Sequence, residues 1–118
     1  MGLTNLKSRV ANPAKPNRWV ELEFLIDSGA MYSCVSRKIL KQLGIKPHSQ
    51  REFILANGEV IRRQMGTAAF EYRGLRGDSQ VMFGEEGDLN LLGVATLETF
   101  GFVIDPLRGE LKAIPLRM

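Results

Sequence analysis

Apolar and polar positions alternate with a period of two along much of the chain. Val20, Leu22, Phe24 and Ile26 interleave with Glu21, Glu23 and Leu25, the pattern of a strand with one buried face. Leu6 and Val10, set against Lys7 and Arg9, predict an earlier strand over residues 2–11. Between them, Asn12-Pro13-Ala14-Lys15-Pro16-Asn17 predicts a turn, because two prolines and two asparagines end regular structure. The second strand is then expected from about residue 18 to 26, paired with the first as a hairpin. Trp19 falls on the opposite parity to Val20 and Phe24, which predicts a covering or interface aromatic rather than the centre of a core.

Further strands are predicted over 31–35, 52–55, 59–65, 68–73, 79–83, 89–92, 102–104 and 111–118. Pro115 restricts the last of these to a sheet edge or an interface. The turn at Ala56-Asn57-Gly58 is expected to join two of them as a hairpin, since Asn and Gly both tolerate the positive φ of a type I′ turn. Gly74-Leu75-Arg76-Gly77, the acidic stretch 84–88 and Asp105-Pro106-Leu107-Arg108-Gly109 read as loops. Only two short stretches have helical spacing. Ser36 is a good N-cap, Ile39, Leu40 and Leu43 share one face, and Gly44 stops the helix. A second helix is predicted over 94–100, stopped by Gly101. The two halves echo one another as strand, tight loop and short helix. Phe24-Leu25-Ile26 and Gly29 in the first answer to Leu91-Leu92-Gly93 in the second, and only the first carries an acid in its loop.

Composition narrows the function classes. At 118 residues, one domain spanning 1–118 is expected. Apolar content of 44% and charged content of 25% are those of an ordinary soluble globular protein. The net charge is only +3, and Arg37-Lys38 and Arg62-Arg63 are pairs rather than a stripe, so no nucleic-acid partner is expected. No apolar run approaches the roughly 20 residues of a membrane span, and the N-terminus lacks a signal-peptide stretch. Leu6 stands where a myristoylation pattern requires Ser or Thr, so no membrane partner is expected. A single cysteine, Cys34, permits no internal disulfide and reads as a small core residue, and a cytoplasmic location is expected. One Cys and one His make no metal site, and Glu85, Glu86 and Asp88 lack the ligand spacing of a calcium loop. No cofactor is expected.

The chemistry-bearing feature is Asp27-Ser28-Gly29, which follows an apolar strand directly. Such a strand delivers a carboxylate to the edge of a core, where the surroundings tune its pKa. Gly29 permits a tight turn and the close approach of another backbone. Asp-Ser-Gly is also good turn chemistry in its own right, with the acid capping its own loop. Ser28 is not expected to be a nucleophile, because the only histidine, His48, lies in a Pro-His-Ser connector.

Asp27-Ser28-Gly29-Ala30 after an apolar strand resembles the active-site loop of the retropepsin-like aspartic proteases. Leu91-Leu92-Gly93 resembles the family's second signature, and Ala56-Asn57-Gly58 sits where the family has its flap. The order and spacing of the three over residues 18–118 carry the resemblance, nearest to the small stand-alone prokaryotic members. It implies a mainly-β closed barrel with one or two short helices, acting as a homodimer, since the family's chemistry needs two aspartates and this chain offers one. It implies an endopeptidase in which two Asp27 carboxylates share a proton and activate a water, without metal or cofactor. On the same basis, Ser28 stiffens the pair across the interface. Gly29 and Ala30 are small so that two loops can pack. Leu91, Leu92 and Gly93 support the loop from beneath, and Ala56, Asn57 and Gly58 close over an extended peptide or protein substrate. Residues 3–10 and 114–118 are the segments that would interleave between subunits. The alternative is a non-catalytic peptide-binding or assembly module on the same fold.

Overall fold

The structure is a computed structural model that describes residues 4–27, 29–105 and 110–113. Strand β1 (Thr4–Asn12) and strand β2 (Lys15–Ile26) form an antiparallel hairpin with Leu6 opposite Phe24 and Val10 opposite Val20. Parity sorts the side chains as the alternation predicts. Leu6, Val10, Phe24 and Ile26 are buried, while Trp19 is exposed with the Arg9 guanidinium 3.8 Å from its ring centre. The turn is shorter than the proline-rich stretch suggests. Lys15 already pairs with Asn12, and the register slips before Ala11 meets Trp19. Pro16 falls in that slip, where its missing N–H costs no ladder bond. Asn12 holds the corner: its side chain accepts the Ala14 N–H at 2.9 Å and donates to the Leu43 carbonyl at 3.1 Å.

The chain continues through β3 (Ser33–Ser36), α1 (Arg37–Gln42), β4 (Ser49–Ile54), β5 (Val60–Tyr72) and β6 (Leu75–Gly84). It ends with β7 (Leu91–Leu92), α2 (Val94–Thr99), β8 (Phe102–Asp105) and β9 (Glu110–Ala113). Seven strands form one sheet in the order β1-β2-β7-β3-β6-β5-β4, and β1 pairs in addition with β5, Val10 opposite Phe70. That extra pairing closes six strands into a ring, the barrel implied by the resemblance. Strand β4 stays outside the ring and projects with the start of β5 as a hairpin. Phe24 and Phe70 meet at the centre with ring centroids 6.1 Å apart, packed among Val35, Leu40, Val81, Leu92 and Leu97. β8 and β9 form a separate two-stranded sheet, with Phe102 edge-on to Tyr72. The turn over 106–109 and the stretch 114–118 with Pro115 lie outside the described residues.

Three predicted features differ in detail, each for a glycine-related reason. The stretches 59–65 and 68–73 are one strand, β5, because Gly66 is a contact point and not a breaker. A Cβ there would lie 2.8 Å from Phe83 Cε1 and 3.2 Å from Ile45 Cγ2. The absent side chain is what lets those residues pack onto the strand. β6 begins at Leu75, since the reversal takes only Arg73 and Gly74, both at positive φ, 50° and 77°. That is the two-residue primed turn expected instead at Asn57-Gly58. At the latter, only Gly58 has positive φ (86°). Five residues, 55–59, connect β4 to β5 there, with the Leu55 N–H donating to the Glu59 carbonyl. The Asn57 side chain accepts the Glu59 N–H at 2.9 Å. At α1, Gly44 (φ 75°) terminates the helix as predicted. Ser36 occupies the N-cap position, but its side chain makes no capping bond. Its backbone N–H donates instead to Asn90 Oδ1 at 3.1 Å.

Candidate active site

Asp27 is the first residue beyond β2. Its predecessor Ile26 is buried in the core and lies opposite Leu92 of β7 in a parallel pairing. The Asp27 N–H continues that pairing by donating to the Leu92 carbonyl at 3.2 Å. The chain then reverses at once, with the Ala30 N–H donating to the Asp27 carbonyl at 3.1 Å. Within this turn the Gly29 N–H donates to Asp27 Oδ1 at 2.8 Å, and a Cβ on Gly29 would stand 3.2 Å from that oxygen. A larger residue would crowd the carboxylate it serves. Asp27 thus caps its own turn, and it is half-buried at the rim of the core. Ser28 lies outside the described residues.

The other side of the turn is fastened to α2. Val94 N–H donates to the Ala30 carbonyl at 2.8 Å and Ala95 N–H to the Met31 carbonyl at 2.9 Å. These are donors that a helix start leaves without an intrahelical partner, and the loop uses them. Gly93 makes the approach possible. A Cβ there would lie 2.5 Å from the Tyr32 carbonyl carbon, 2.7 Å from its oxygen and 2.8 Å from the Met31 oxygen. The Gly93 N–H donates to Ser33 Oγ at 2.9 Å. Ser33 Oγ bonds Thr96 Oγ1 at 2.5 Å, and Thr96 Oγ1 bonds Ser79 Oγ at 3.0 Å. Ser33 and Thr96 are 0% exposed and Ser79 8%, so this chain of hydroxyls joins β3, α2 and β6 away from water.

Of the residues singled out in the sequence, Asp27, Gly29, Ala30, Leu91, Leu92 and Gly93 are thus brought together. Leu92 is fully buried beneath the turn, and Leu91 pairs with both Leu25 and Cys34. Ala56, Asn57 and Gly58 are exposed at the tip of the β4–β5 hairpin, and among the described residues no hydrogen bond joins them to the Asp27 turn. The stem of that hairpin does reach the segment following the turn. The Phe53 ring stands edge-on to Tyr32 at 6.4 Å, and the Arg51 guanidinium lies 5.2 Å from the Tyr32 ring centre. The trio Ser33, Ser79 and Thr96 escaped the sequence reading. For Ser33 and Ser79 the one signal was a hydroxyl on the inward parity of a strand, and Thr96, on α2, gave none.

Charge is arranged at a second contact of the hairpin stem. Arg63 of β5 donates twice to Asp88 in the β6–β7 loop, at 2.8 and 3.3 Å, and Asp88 Oδ2 also accepts the Glu85 N–H at 2.8 Å. Their side chains are 17% and 27% exposed. The hydrogen bond from Arg63 holds the Asp88 carboxyl below the usual carboxylate range, and Asp88 in turn raises Arg63. Burial, with the Asp88 charge adding to it, pushes the Cys34 thiol up to about 11. A cavity of about 240 Å³ opens beside the end of β2, lined by Asn5, Glu23, Phe24, Leu25, Leu89 and Asn90. Met31, Leu89, Ile54 and Val60 are large apolar side chains left exposed. No cluster of three or more His, Cys, Asp or Glu side chains that could hold a metal occurs among the described residues.

Residues 17–99, from β2 through the Asp27 turn and the hairpin to the end of α2, match the profile of a family described as "gag-polyprotein putative aspartyl protease". The chain belongs to this retropepsin-like aspartyl protease family. The fold agrees. The solution structure of Simian Foamy Virus (mac) protease superposes with a TM-score of 0.57 at 18% sequence identity, covering 80% of this chain and 92% of that one. No curated protein sequence matches. The family match takes in the Asp27 turn, the β4–β5 hairpin and Leu91-Leu92-Gly93 together, the three features on which the resemblance rested.

Proposed function

We propose that this family member is an aspartic endopeptidase whose active site forms between two copies of the chain, each supplying one Asp27. The carrying observation is the way the Asp27 turn is held. Four backbone hydrogen bonds, from Asp27, Ala30, Val94 and Ala95, fix the turn between β7 and α2. One carboxylate oxygen is engaged by Gly29, and Oδ2 accepts no hydrogen bond from the described residues. The proposed chemistry uses a second carboxylate to share a proton with the first. The matching turn in the other half, at Leu91-Leu92-Gly93, carries no acid. A second chain supplies it. Two carboxylates a few ångströms apart cannot both ionise readily, so one holds the proton. The ionised member takes a proton from a bound water, and the water attacks the peptide carbonyl. The protonated member donates to the carbonyl oxygen, and a proton then passes to the leaving amine.

Several further features fit this reading. Residues 4–8 of β1 pair only with β2 among the described strands, which leaves a free strand edge for a partner chain. Exposed Met31, Leu89, Ile54 and Val60 suit an extended peptide with apolar side chains. The hairpin tip at Ala56-Asn57-Gly58 closes over it. The test is cleavage of a diverse peptide mixture between about pH 4 and 7, read by mass spectrometry for wild type and Asp27→Asn. New termini with wild type, and a loss of at least about 100-fold with Asp27→Asn, are expected. Sedimentation equilibrium should show a dimer for both. Equal cleavage by Asp27→Asn refutes the assignment. No cleavage by a folded dimeric wild type points to the peptide-binding module instead.

A further inference from the structure

We infer that this chain carries a second peptide-binding surface, built from residues outside the Asp27 turn, that takes an acidic segment bearing an exposed apolar side chain. It lies where α1 gives way to the connector leading into β4. A cavity of about 270 Å³ is floored there by Ile45, Pro47 and Phe83 and rimmed by Arg37, Lys41 and Lys46. Ile45 and Phe83 are buried, so their placement is set by the core and the floor is rigid. Gly66, directly beneath, has no side chain to lift them. None of these residues belongs to the Asp27 turn or to the hairpin tip.

The rim selects the sign of the occupant. Arg37 is occupied: its Nε donates to Glu85 Oε1 at 2.8 Å while its guanidinium lies 5.4 Å from the Phe83 ring centre. Lys41 and Lys46 are exposed, as is Lys38 on the adjoining side of α1, and among the described residues none of the three has a carboxylate within 4 Å. Lysines grouped round an apolar hollow attract carboxylates and leave the hollow for an apolar side chain. The volume suits one or two such side chains and is too small for a drug-sized ligand. A nucleic-acid backbone fits poorly. Glu85 and Glu86 line the neighbouring depression together with Lys38 and Lys41, so an anionic occupant is confined to a short segment at the lysines, and the regularly spaced phosphates of a nucleic acid running on from the groove would be repelled. An acidic segment of a protein substrate, bound here, adjoins the base of the β4–β5 hairpin, because His48 in the same connector donates its N–H to the Met65 carbonyl at 2.8 Å.

The inference does not depend on catalysis, and its test reads binding alone. The full-length Asp27→Asn protein, checked for folding by circular dichroism, is titrated into a fluorescein-labelled hexapeptide of two leucines flanked by aspartate and glutamate. Anisotropy should show saturable binding, with amide shifts at Ile45, Lys46 and Phe83. Lys41→Glu combined with Lys46→Glu should weaken it about tenfold, whereas Lys15→Glu, an exposed control on β2, should not. Raising salt from about 50 to about 300 mM should weaken it by about threefold or more. A probe with serine for both leucines should lose most binding. Absence of binding, equal binding by the charge-reversed protein or by the serine probe, shifts confined to the Asp27 turn, or tighter binding of an oligothymidylate would each overturn the inference.

Discussion

Thr96 is the test of whether the buried hydroxyl chain holds the Asp27 turn. Its hydroxyl bonds both Ser33 and Ser79, and none of the three is reached appreciably by water. Thr96→Val preserves the side chain's branching and removes only those bonds. Ser79 then loses its one side-chain hydrogen bond, whereas Ser33 keeps the Gly93 N–H. One fully orphaned buried hydroxyl costs about 1–3 kcal/mol and a half-satisfied one less, so the substitution should cost about 2–4 kcal/mol. That is a large share of the roughly 5–15 kcal/mol by which domains are stable. Ser79→Ala alone leaves Thr96 bonded to Ser33 and should cost about 0.5–1.5 kcal/mol. Made in the Thr96→Val background, Ser79→Ala removes the orphan and should restore about 1 kcal/mol. The assay is urea unfolding of the four proteins at one fixed protein concentration, so that association does not shift the midpoints. A coupling of about 1.5–2.5 kcal/mol is expected. Additive costs, or a Thr96→Val loss below about 0.5 kcal/mol, would refute the account of these hydroxyls as a connected brace.

Other expectations follow from the same contacts. Gly93→Ala forces a methyl against three backbone atoms that no rotamer change can move, and should cost about 3 kcal/mol or more; a melting temperature within about 2 °C of wild type would contradict the close packing of Gly93 on Met31 and Tyr32. Asp88 has a depressed pKa in the folded state, so its contribution is present above the ordinary carboxylate range and is lost as pH falls through the lowered value. The stability gap between wild type and Asp88→Asn should therefore be widest near neutrality and close below about pH 4, measured by thermal melts across pH. Cys34, buried and with its thiol pushed up to about 11, should resist a thiol reagent at pH 8 and react only as the protein unfolds. Labelling of the native protein at the rate of a free thiol would contradict that placement.

Much of this fold was legible because period-two burial is a local signal. The parity of Leu6, Val10, Phe24 and Ile26 predicted which side chains enter the barrel, and Gly44 and Gly101 predicted where the two helices stop. What escaped was long-range. Gly66 and Gly77 look like breaks in a strand, yet each is a place where another element presses on β5 or β6. A Cβ on Gly77 would collide with Thr99 Cγ2. A sequence pattern does not reveal which neighbour arrives. The Asp27 turn was recognisable as a motif, and its tight support by Leu92 and Gly93 agrees with the second motif. Ser33, Ser79 and Thr96 were not recognisable, because a buried hydroxyl reads as an exposed polar residue until its partners are known. The hairpin at Asn57-Gly58 was anticipated in position but not in conformation, since Asn57 works through its side chain instead of adopting a positive φ.

The clasp on Asp27 also has a schedule. Apart from its own Gly29 and Ala30, what holds the Asp27 turn follows it much later in the chain: Ser33 meets Gly93 and Thr96 at sequence separations of 60 and 63. Chains emerge N-terminal end first, and contacts of such separation form only when both ends exist. A nascent chain that has not yet produced β7 and α2 therefore carries the carboxylate without the scaffold that aims it. The brace on the Asp27 turn is complete only once synthesis has passed the second helix.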